Sequence, residues 1–290
     1  AHWRNYIEYN DVSNANRTGE DTGVIYVNYQ CGGQIVRNNY VHDCLGRVGG
    51  FFAVYYDESG SEDGETKNNI IARMGDKIGA TEEGYCAGGL LLKGKTHNIE
   101  NNFFVGIDST RAMLNWENGS FKATIPSDIT SKNNVFYSNG AKLMQLGGEY
   151  SEKTITYMDK NLYWSEDGQP KLGAPVSNID AWKKYDNGRF DQNSISENPC
   201  FMDIDAQDYR LRYDSPAYDL GIQSIDVESI GVGRDYRYTD DTSSLNQVFV
   251  NQKGRAKGTP TINLKSGETA ELDVSAKNTK RQFMSLDDAK

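Results

Sequence analysis

One phrase recurs along this chain: a charged residue, then one or two asparagines, then an apolar and often aromatic pair. It reads Arg4-Asn5-Tyr6-Ile7, Arg37-Asn38-Asn39-Tyr40-Val41, Lys67-Asn68-Asn69-Ile70-Ile71, Glu100-Asn101-Asn102-Phe103-Phe104, Lys132-Asn133-Asn134-Val135-Phe136 and Lys160-Asn161-Leu162-Tyr163. The final asparagines, Asn5, Asn39, Asn69, Asn102, Asn134 and Asn161, follow one another at intervals of 34, 30, 33, 32 and 27 residues. An interval of that size is one coil of a solenoid, in which each repeat buries its apolar face only against its neighbours. Asparagine suits a turn of such a coil. It tolerates left-handed backbone geometry, and its amide can bond the equivalent amide one coil away.

A second apolar strand lies between successive phrases: Val24-Ile25-Tyr26-Val27, Ala53-Val54-Tyr55-Tyr56, Gly89-Leu90-Leu91-Leu92, Met113-Leu114-Asn115-Trp116 and Leu143-Met144-Gln145-Leu146. Aligned by their period of two, they place Ile25, Val54, Leu90, Leu114 and Met144 in one inward stack and Val27, Tyr56, Leu92, Trp116 and Leu146 in another. The outward rows are then Tyr26, Tyr55, Leu91, Asn115, Gln145 and Asn28, Asp57, Lys93, Glu117, Gly147. A slip of one residue would turn both apolar stacks to solvent, so this register is strongly specified. The expected fold is all-β, a right-handed parallel β-helix. Long connections over 11–23, 44–50 and 75–88 are expected to wall a binding face, as loops on one side of a solenoid do.

The repeat weakens after about Trp164, and 198–221 reads as a segment covering the last coil. The β-helix is expected to occupy 1–238, and 239–290 a linker with an incomplete small β domain. Thr261-Ile262-Asn263-Leu264 and Ala270-Glu271-Leu272-Asp273-Val274 read as two strands joined at Ser266-Gly267, the start of an Ig-like β-sandwich. Too few residues follow to finish one, so the chain is expected to be a piece of a longer protein.

Asp and Glu outnumber Lys and Arg 41 to 31, a net charge of −10 that repels a phosphate backbone and argues against nucleic acid as a partner. No apolar run approaches the roughly 18 residues of a membrane span, and Ala1-His2-Trp3-Arg4-Asn5 lacks a signal-peptide layout. Cys31, Cys44, Cys86 and Cys200 contain no Cys-x-x-Cys pair; buried thiols are expected, with one disulfide as the alternative.

The phrases Asp21-Thr22-Gly23-Val24-Ile25-Tyr26, Asn39-Tyr40-Val41-His42-Asp43, Val54-Tyr55-Tyr56-Asp57-Glu58-Ser59 and Asn98-Ile99-Glu100-Asn101-Asn102-Phe103-Phe104-Val105 carry a resemblance. So does the closing run Phe201-Met202-Asp203 through Tyr209-Arg210-Leu211 to Ser215-Pro216-Ala217 and Leu220-Gly221. Over about residues 1–235 the chain resembles bacterial right-handed parallel β-helix proteins that include glycoside hydrolases of the α-L-fucosidase and xylanase type. The resemblance implies a secreted or cell-surface protein acting on an oligo- or polysaccharide, with Asp21 and Asp57 as its catalytic acids. At roughly 3.3 Å per residue these two lie about 20 Å apart along the strands, unless a bulge shifts the register.

Glycoside hydrolysis needs two carboxyl groups, roughly 5–5.5 Å apart for retention and 6.5–9.5 Å for inversion. Asp57 and Glu117 share an outward row two coils apart, which at about 4.8 Å per coil gives roughly 9.6 Å and favours inversion. Lys93 stands between them and lowers the pKa of a neighbouring carboxyl, which suits a base. Tyr26 and Tyr55 offer outward rings for a sugar, with Asn28 and Glu58 as further contacts. His42 with Asp43 reads as a proton-transfer pair or as a turn-stabilising histidine. Asp57-Glu58, Glu62-Asp63 and Glu65 form an acidic patch without the spacing of a defined calcium loop; no cofactor is expected, with calcium the alternative. The expected function is therefore an inverting, extracellular glycoside hydrolase. The alternatives are a polysaccharide lyase with Lys93 as base, and a non-catalytic glycan-binding, adhesive or structural surface β-helix. Further domains or a second copy of the protein are the other expected partners.

Overall fold

The computed structural model describes residues 4–15, 21–28, 32–44, 51–57, 62–75, 87–106, 114–116, 126–138, 142–146, 154–168, 170–173, 176–231, 247–249, 261–265, 268–271 and 283–285. Three parallel sheets wind together into a β-solenoid. Sheet A stacks β1 (Tyr6–Glu8), β4 (Ile35–Arg37), β7 (Gly64–Lys67), β10 (Lys95–Glu100), β13 (Ser127–Lys132) and β16 (Ile155–Asp159). Sheet B stacks β2 (Asp11–Ser13), β5 (Tyr40–His42), β8 (Ile70–Ala72), β11 (Phe103–Val105), β14 (Val135–Ser138) and β17 (Leu162–Ser165). Sheet C stacks β3 (Thr22–Asn28), β6 (Phe51–Asp57), β9 (Ala87–Leu92), β12 (Leu114–Trp116) and β15 (Met144–Leu146).

Each full coil thus has three strands where two were read from the apolar pattern. The strands of sheet A are the ones the pattern misses. In Lys95-Thr96-His97-Asn98-Ile99-Glu100 only His97 and Ile99 are buried, and the outward positions are charged or amide residues. Along the sheet Glu8, Arg37, Lys67, Glu100 and Lys132 come into register, so Arg37 pairs with Glu8 at 2.6 Å and Glu100 with Lys67 at 3.2 Å and Lys132 at 3.5 Å. A sheet that wets one whole face carries too few apolar residues to announce itself.

The turn between sheets A and B holds the asparagine ladder. Asn39 Nδ2 donates to Asn69 Oδ1 at 2.9 Å, Asn69 to Asn102 at 2.9 Å, Asn102 to Asn134 at 3.0 Å and Asn134 to Asn161 at 3.1 Å. The same Oδ1 atoms accept the backbone N–H of the preceding rung, and the spare amide hydrogens go to carbonyls such as Val36 and Thr66. All five asparagines are fully buried. The two virtues of asparagine are divided between neighbours. Asn38, Asn68, Asn101 and Asn133 take the left-handed conformation, with φ of 54°, 55°, 53° and 56°, while the residue after each makes the ladder. The first rung is Asn10, which donates to Asn39 Oδ1 at 2.9 Å, and not Asn5, which precedes a strand of sheet A. Asn10 escaped notice because Asp11, rather than an apolar pair, follows it.

The ladder ends on a buried carboxylate. Asp191 accepts from Asn161 Nδ2 at 3.0 Å, Tyr163 Oη at 2.9 Å, Trp182 Nε1 at 2.7 Å and Ser194 Oγ. Trp182 belongs to α1 (Ile179–Lys184), whose N-cap Asn178 accepts from Ala181 N; Ile179, Trp182 and Phe190 complete the main core there. This helix, not 198–221, closes the last coil.

The segment expected to cover that coil lies along sheet B instead. The antiparallel pair β18 (Phe201–Asp203) and β19 (Asp208–Leu211) and the chain after it pack Phe201, Tyr209, Leu211, Leu220 and Ile222 against Tyr40, Ile70, Phe103, Val135 and Leu162. Asn133 Nδ2 holds Leu220 O at 2.6 Å, Asn101 exchanges two bonds with Gln223, and Gly231 N reaches Tyr9 O at 3.0 Å. The strap therefore runs from the late coils back to the first. It explains why β8 and β11 are buried on both faces and read as unbroken apolar runs.

Near the C-terminus Thr261–Lys265 pairs antiparallel with Glu268–Glu271, a second strand that starts earlier than the expected 270–274, of which 272–274 lie outside the described residues, and Gln247–Phe249 pairs with Phe283–Ser285. Cys44 is a buried free thiol and Cys200 is partly exposed; Cys31 and Cys86 lie outside the described residues. Among the described residues no helix is long and apolar enough to cross a membrane.

Replacing Asn102 by alanine strips the acceptor from two buried donors, Asn69 N and Nδ2, and the donor from Thr66 O. Unsatisfied buried groups cost about 1–3 kcal/mol each, so Asn102→Ala should lose at least about 2 kcal/mol. Urea denaturation checks this; an unchanged midpoint would contradict the ladder.

Candidate functional site

The rows of sheet C come into the register the sequence predicts, Ile25 with Val54, Leu90, Leu114 and Met144, and Val27 with Tyr56, Leu92, Trp116 and Leu146; Ile25, Val54, Leu90 and Met144 and Val27, Tyr56 and Leu92 are buried in the main core. Outward, Tyr26 is in register with Tyr55 and Leu91, and Asn28 with Asp57. Lys93 N donates to Tyr56 O at 2.9 Å just past β9, which sets the Lys93 side chain beside Asp57.

The strands are not straight here. In β6, Ala53 and Val54 both face the main core, whereas Phe52 and Tyr55 join Leu91 in a separate cluster on the outer side. Strict alternation cannot produce two successive inward residues, so the strand turns a corner between them. The neighbouring strand yields at Gly23. A Cβ there would stand 2.7 Å from Ile25 O and 2.8 Å from Tyr55 Cβ, so only glycine lets the backbone come this close.

The corner brings two distant acids together. Tyr55 Oη lies 3.2 Å from Asp21 Oδ1 and 3.0 Å from Asp57 Oδ1, which limits those carboxylate oxygens to a separation of about 6 Å. The expected gap of about 20 Å assumed an unbroken strand and is overturned. Asp21 is exposed, at a left-handed φ of 48°, and Asp57 is buried.

Asp57 accepts three further or shared bonds: Tyr26 Oη reaches its Oδ2 at 2.7 Å, and Lys93 Nζ its Oδ1 at 2.9 Å beside the Tyr55 contact. Lys93 Nζ also donates to Tyr55 Oη at 2.7 Å, and Asn28 Nδ2 to Tyr26 Oη at 3.1 Å. Burial alone would push the Asp57 carboxyl up, but the hydrogen bonds from Tyr26 and Lys93, the lysine charge and the Tyr55 hydroxyl outweigh it and hold Asp57 below the usual carboxylate range. Burial, followed by the charges of Asp57 and Asp21, pushes the Tyr55 phenol far up. Asp57 is thus an ionised group at neutral pH, a base or nucleophile, and Tyr55 a neutral hydrogen-bond donor.

Of the two tyrosines expected to lie outward, Tyr26 does and Tyr55 does not. Tyr26 is 40% exposed, whereas Tyr55 is buried at 1%, its ring held edge-on by Tyr26 at 5.1 Å and by Phe52 at 5.4 Å. Only Tyr26 presents a ring to a ligand.

His42 belongs elsewhere. It lies on β5 of sheet B, stacked 3.9 Å from Tyr40, with Nδ1 2.6 Å from Asp43 Oδ2 and Nε2 2.8 Å from Asp11 Oδ1. Arg73 grips Asp43 at 2.7 and 2.6 Å and reaches Tyr40 and Tyr209, the latter on the strap. Hydrogen bonds from Arg73, together with His42, hold the Asp43 carboxyl below its ordinary range against its burial. The pairing of His42 with Asp43 exists, but it ties the strap to the first coils. Nothing in the spacing of the residues marks Arg73 as a member.

Glu58 and Glu117 lie outside the described residues. Glu62 and Asp63 are exposed in the turn before β7, and among the described residues no three His, Cys, Asp or Glu side chains group as for a metal ion. Comparisons with protein-family models, curated proteins and solved structures find no match to the chain.

Gly23→Ala should force the corner open and cost about 1–3 kcal/mol, the usual toll of overpacking. A thermal melt at the parent midpoint would contradict the close approach. Asp57, with a folded-state pKa below its unfolded value, contributes stability that is complete above about pH 4 and is lost as pH falls through the folded value. Asp57→Asn leaves the largely buried Lys93 without its counter-charge, so at pH 7 it should destabilise by about 1–3 kcal/mol, and acidification should close that gap. Urea melts of both proteins at neutral and acid pH measure it.

Proposed function

We propose that the protein is a glycoside hydrolase whose reaction site is the outward face of sheet C at Asp57, with Asp21 as the second carboxyl. The observation that carries this is the meeting of these two carboxylates on one phenol, Tyr55, at 3.0 and 3.2 Å. Cleavage of a glycosidic bond needs a carboxylate that stays ionised and a second carboxyl within a few ångströms to protonate the leaving oxygen. Asp57, held ionised by Lys93 and Tyr26, suits the first role. The exposed Asp21 suits the second, since a leaving group can reach it. The half-exposed ring of Tyr26 offers an apolar surface to a sugar, and the Asn28 amide beside it a polar contact. The likeness of Val54-Tyr55-Tyr56-Asp57-Glu58 and Asp21-Thr22-Gly23 to the β-helix hydrolases supports the same pair. A secreted or surface-borne protein is where such an activity meets polymeric glycans.

A separation limited to about 6 Å favours retention, in place of the inversion expected from Asp57 with Glu117. A lyase would need a free base near the sugar. Lys93 Nζ is instead engaged as a donor to both Asp57 and Tyr55, which favours hydrolysis. On any polysaccharide the parent cleaves, Asp57→Asn and Asp21→Asn should each lose at least about 10² in rate, because the amide keeps the shape and removes the proton chemistry. Full hydrolysis by Asp57→Asn would sink the assignment.

A further inference from the structure

Resting on this hydrolase reading, we propose that Tyr55 is the positioning residue of the site: its single hydroxyl proton goes to one carboxyl or the other, and that choice decides which of them is charged. The hydroxyl oxygen sits at a crossing of three polar groups, Lys93 Nζ at 2.7 Å, Asp57 Oδ1 at 3.0 Å and Asp21 Oδ1 at 3.2 Å. Lys93 has only protons to give, so it occupies a lone pair of the phenol and leaves the O–H for a carboxylate. One proton serves one acceptor at a time.

The ring itself has nowhere to go. It is fully buried, with Phe52 and Tyr26 against its sides and the Gly23 backbone against its Cβ. The rotation of the O–H is therefore the one motion left to it. With the O–H on Asp57, that carboxylate is stabilised as an anion. Once Asp21 has passed its proton to the leaving oxygen it becomes the anion, while Asp57 has given up its charge to the sugar or taken a proton from water. The O–H then turns to Asp21. The hydroxyl follows the negative charge through the reaction, and no bond to Tyr55 forms or breaks.

Tyr55→Phe keeps the ring and removes only this hydroxyl, and carbon-13 resonances of the Asp57 carboxyl and the Tyr55 Cζ read the coupling without any substrate. In the parent the Tyr55 Cζ signal should move as Asp57 titrates, and in Tyr55→Phe the Asp57 midpoint should move up. With substrate, the acid limb of the kcat/KM profile should move up with it, and kcat should fall at least about tenfold while KM holds, as for a group acting in the transition state. Superimposable Asp57 titrations in the two proteins would overturn the proposal. If the variant does not fold, the parent alone decides, since a Tyr55 Cζ signal blind to the Asp57 titration overturns it too. A parent that releases no reducing ends from glycans overturns the hydrolase reading separately, and the Tyr55 signal still shows whether the hydroxyl couples to the carboxylate.

Discussion

The line of amide hydrogen bonds from Asn10 to Asn161, buried from Asn39 onward, sets the geometry on which everything else depends. A rung bonds the next through both its side chain and its backbone, so each coil has one permitted position relative to its neighbour. Successive strands then lie about 4.8 Å apart in fixed register. Fixed register is what turns scattered residues into rows. It lines up Val54 with Leu90 in the core and places the largely buried Lys93 beside Asp57 on the outer side of sheet C. Loss of a rung is therefore a loss of alignment as well as of hydrogen bonds. The buried Asp191 and the helix carrying Trp182 end the line, so that its last amide does not face the core unpaired.

A second local constraint acts on this regular frame. The corner at Gly23 and Ala53-Val54 breaks the alternation of sheet C and folds part of its outer face inward. The break sets a small polar site beside the buried cluster of Phe52, Tyr55 and Leu91. Charges in such surroundings interact more strongly than in water, and Lys93 with the hydroxyls of Tyr26 and Tyr55 holds the Asp57 carboxyl below its ordinary range. The acidic balance of the chain, so unfavourable for phosphate ligands, is compatible with an uncharged sugar.

The sequence revealed what repeats. Asn39, Asn69, Asn102 and Asn134 stand before apolar pairs, and Val54-Tyr55-Tyr56 and Leu90-Leu91-Leu92 alternate strictly after the corner, so both were legible from spacing alone. Sheet A was hidden because strands such as Lys95–Glu100 show solvent a charged face and keep only two buried side chains. The convergence of Asp21 with Asp57 was hidden for another reason. Counting residues along a strand assumes a straight strand, and Gly23 reads equally well as the end of a loop. Its true role depends on Tyr55, 32 positions later, lying against it. The burial of Tyr55 and the course of the strap along sheet B are likewise tertiary facts: Phe201 and Tyr209 show that they will be buried, but not against which sheet.

The proposed hydrolysis at Asp57 and Asp21 adds water across a glycosidic bond and leaves a reducing end. Incubating the parent protein with a panel of polysaccharides and analysing the ends of the products tests this most directly. New reducing ends without unsaturated sugars are expected from at least one glycan. Unsaturated ends absorbing in the ultraviolet, or intact polymers across the whole panel, would contradict it.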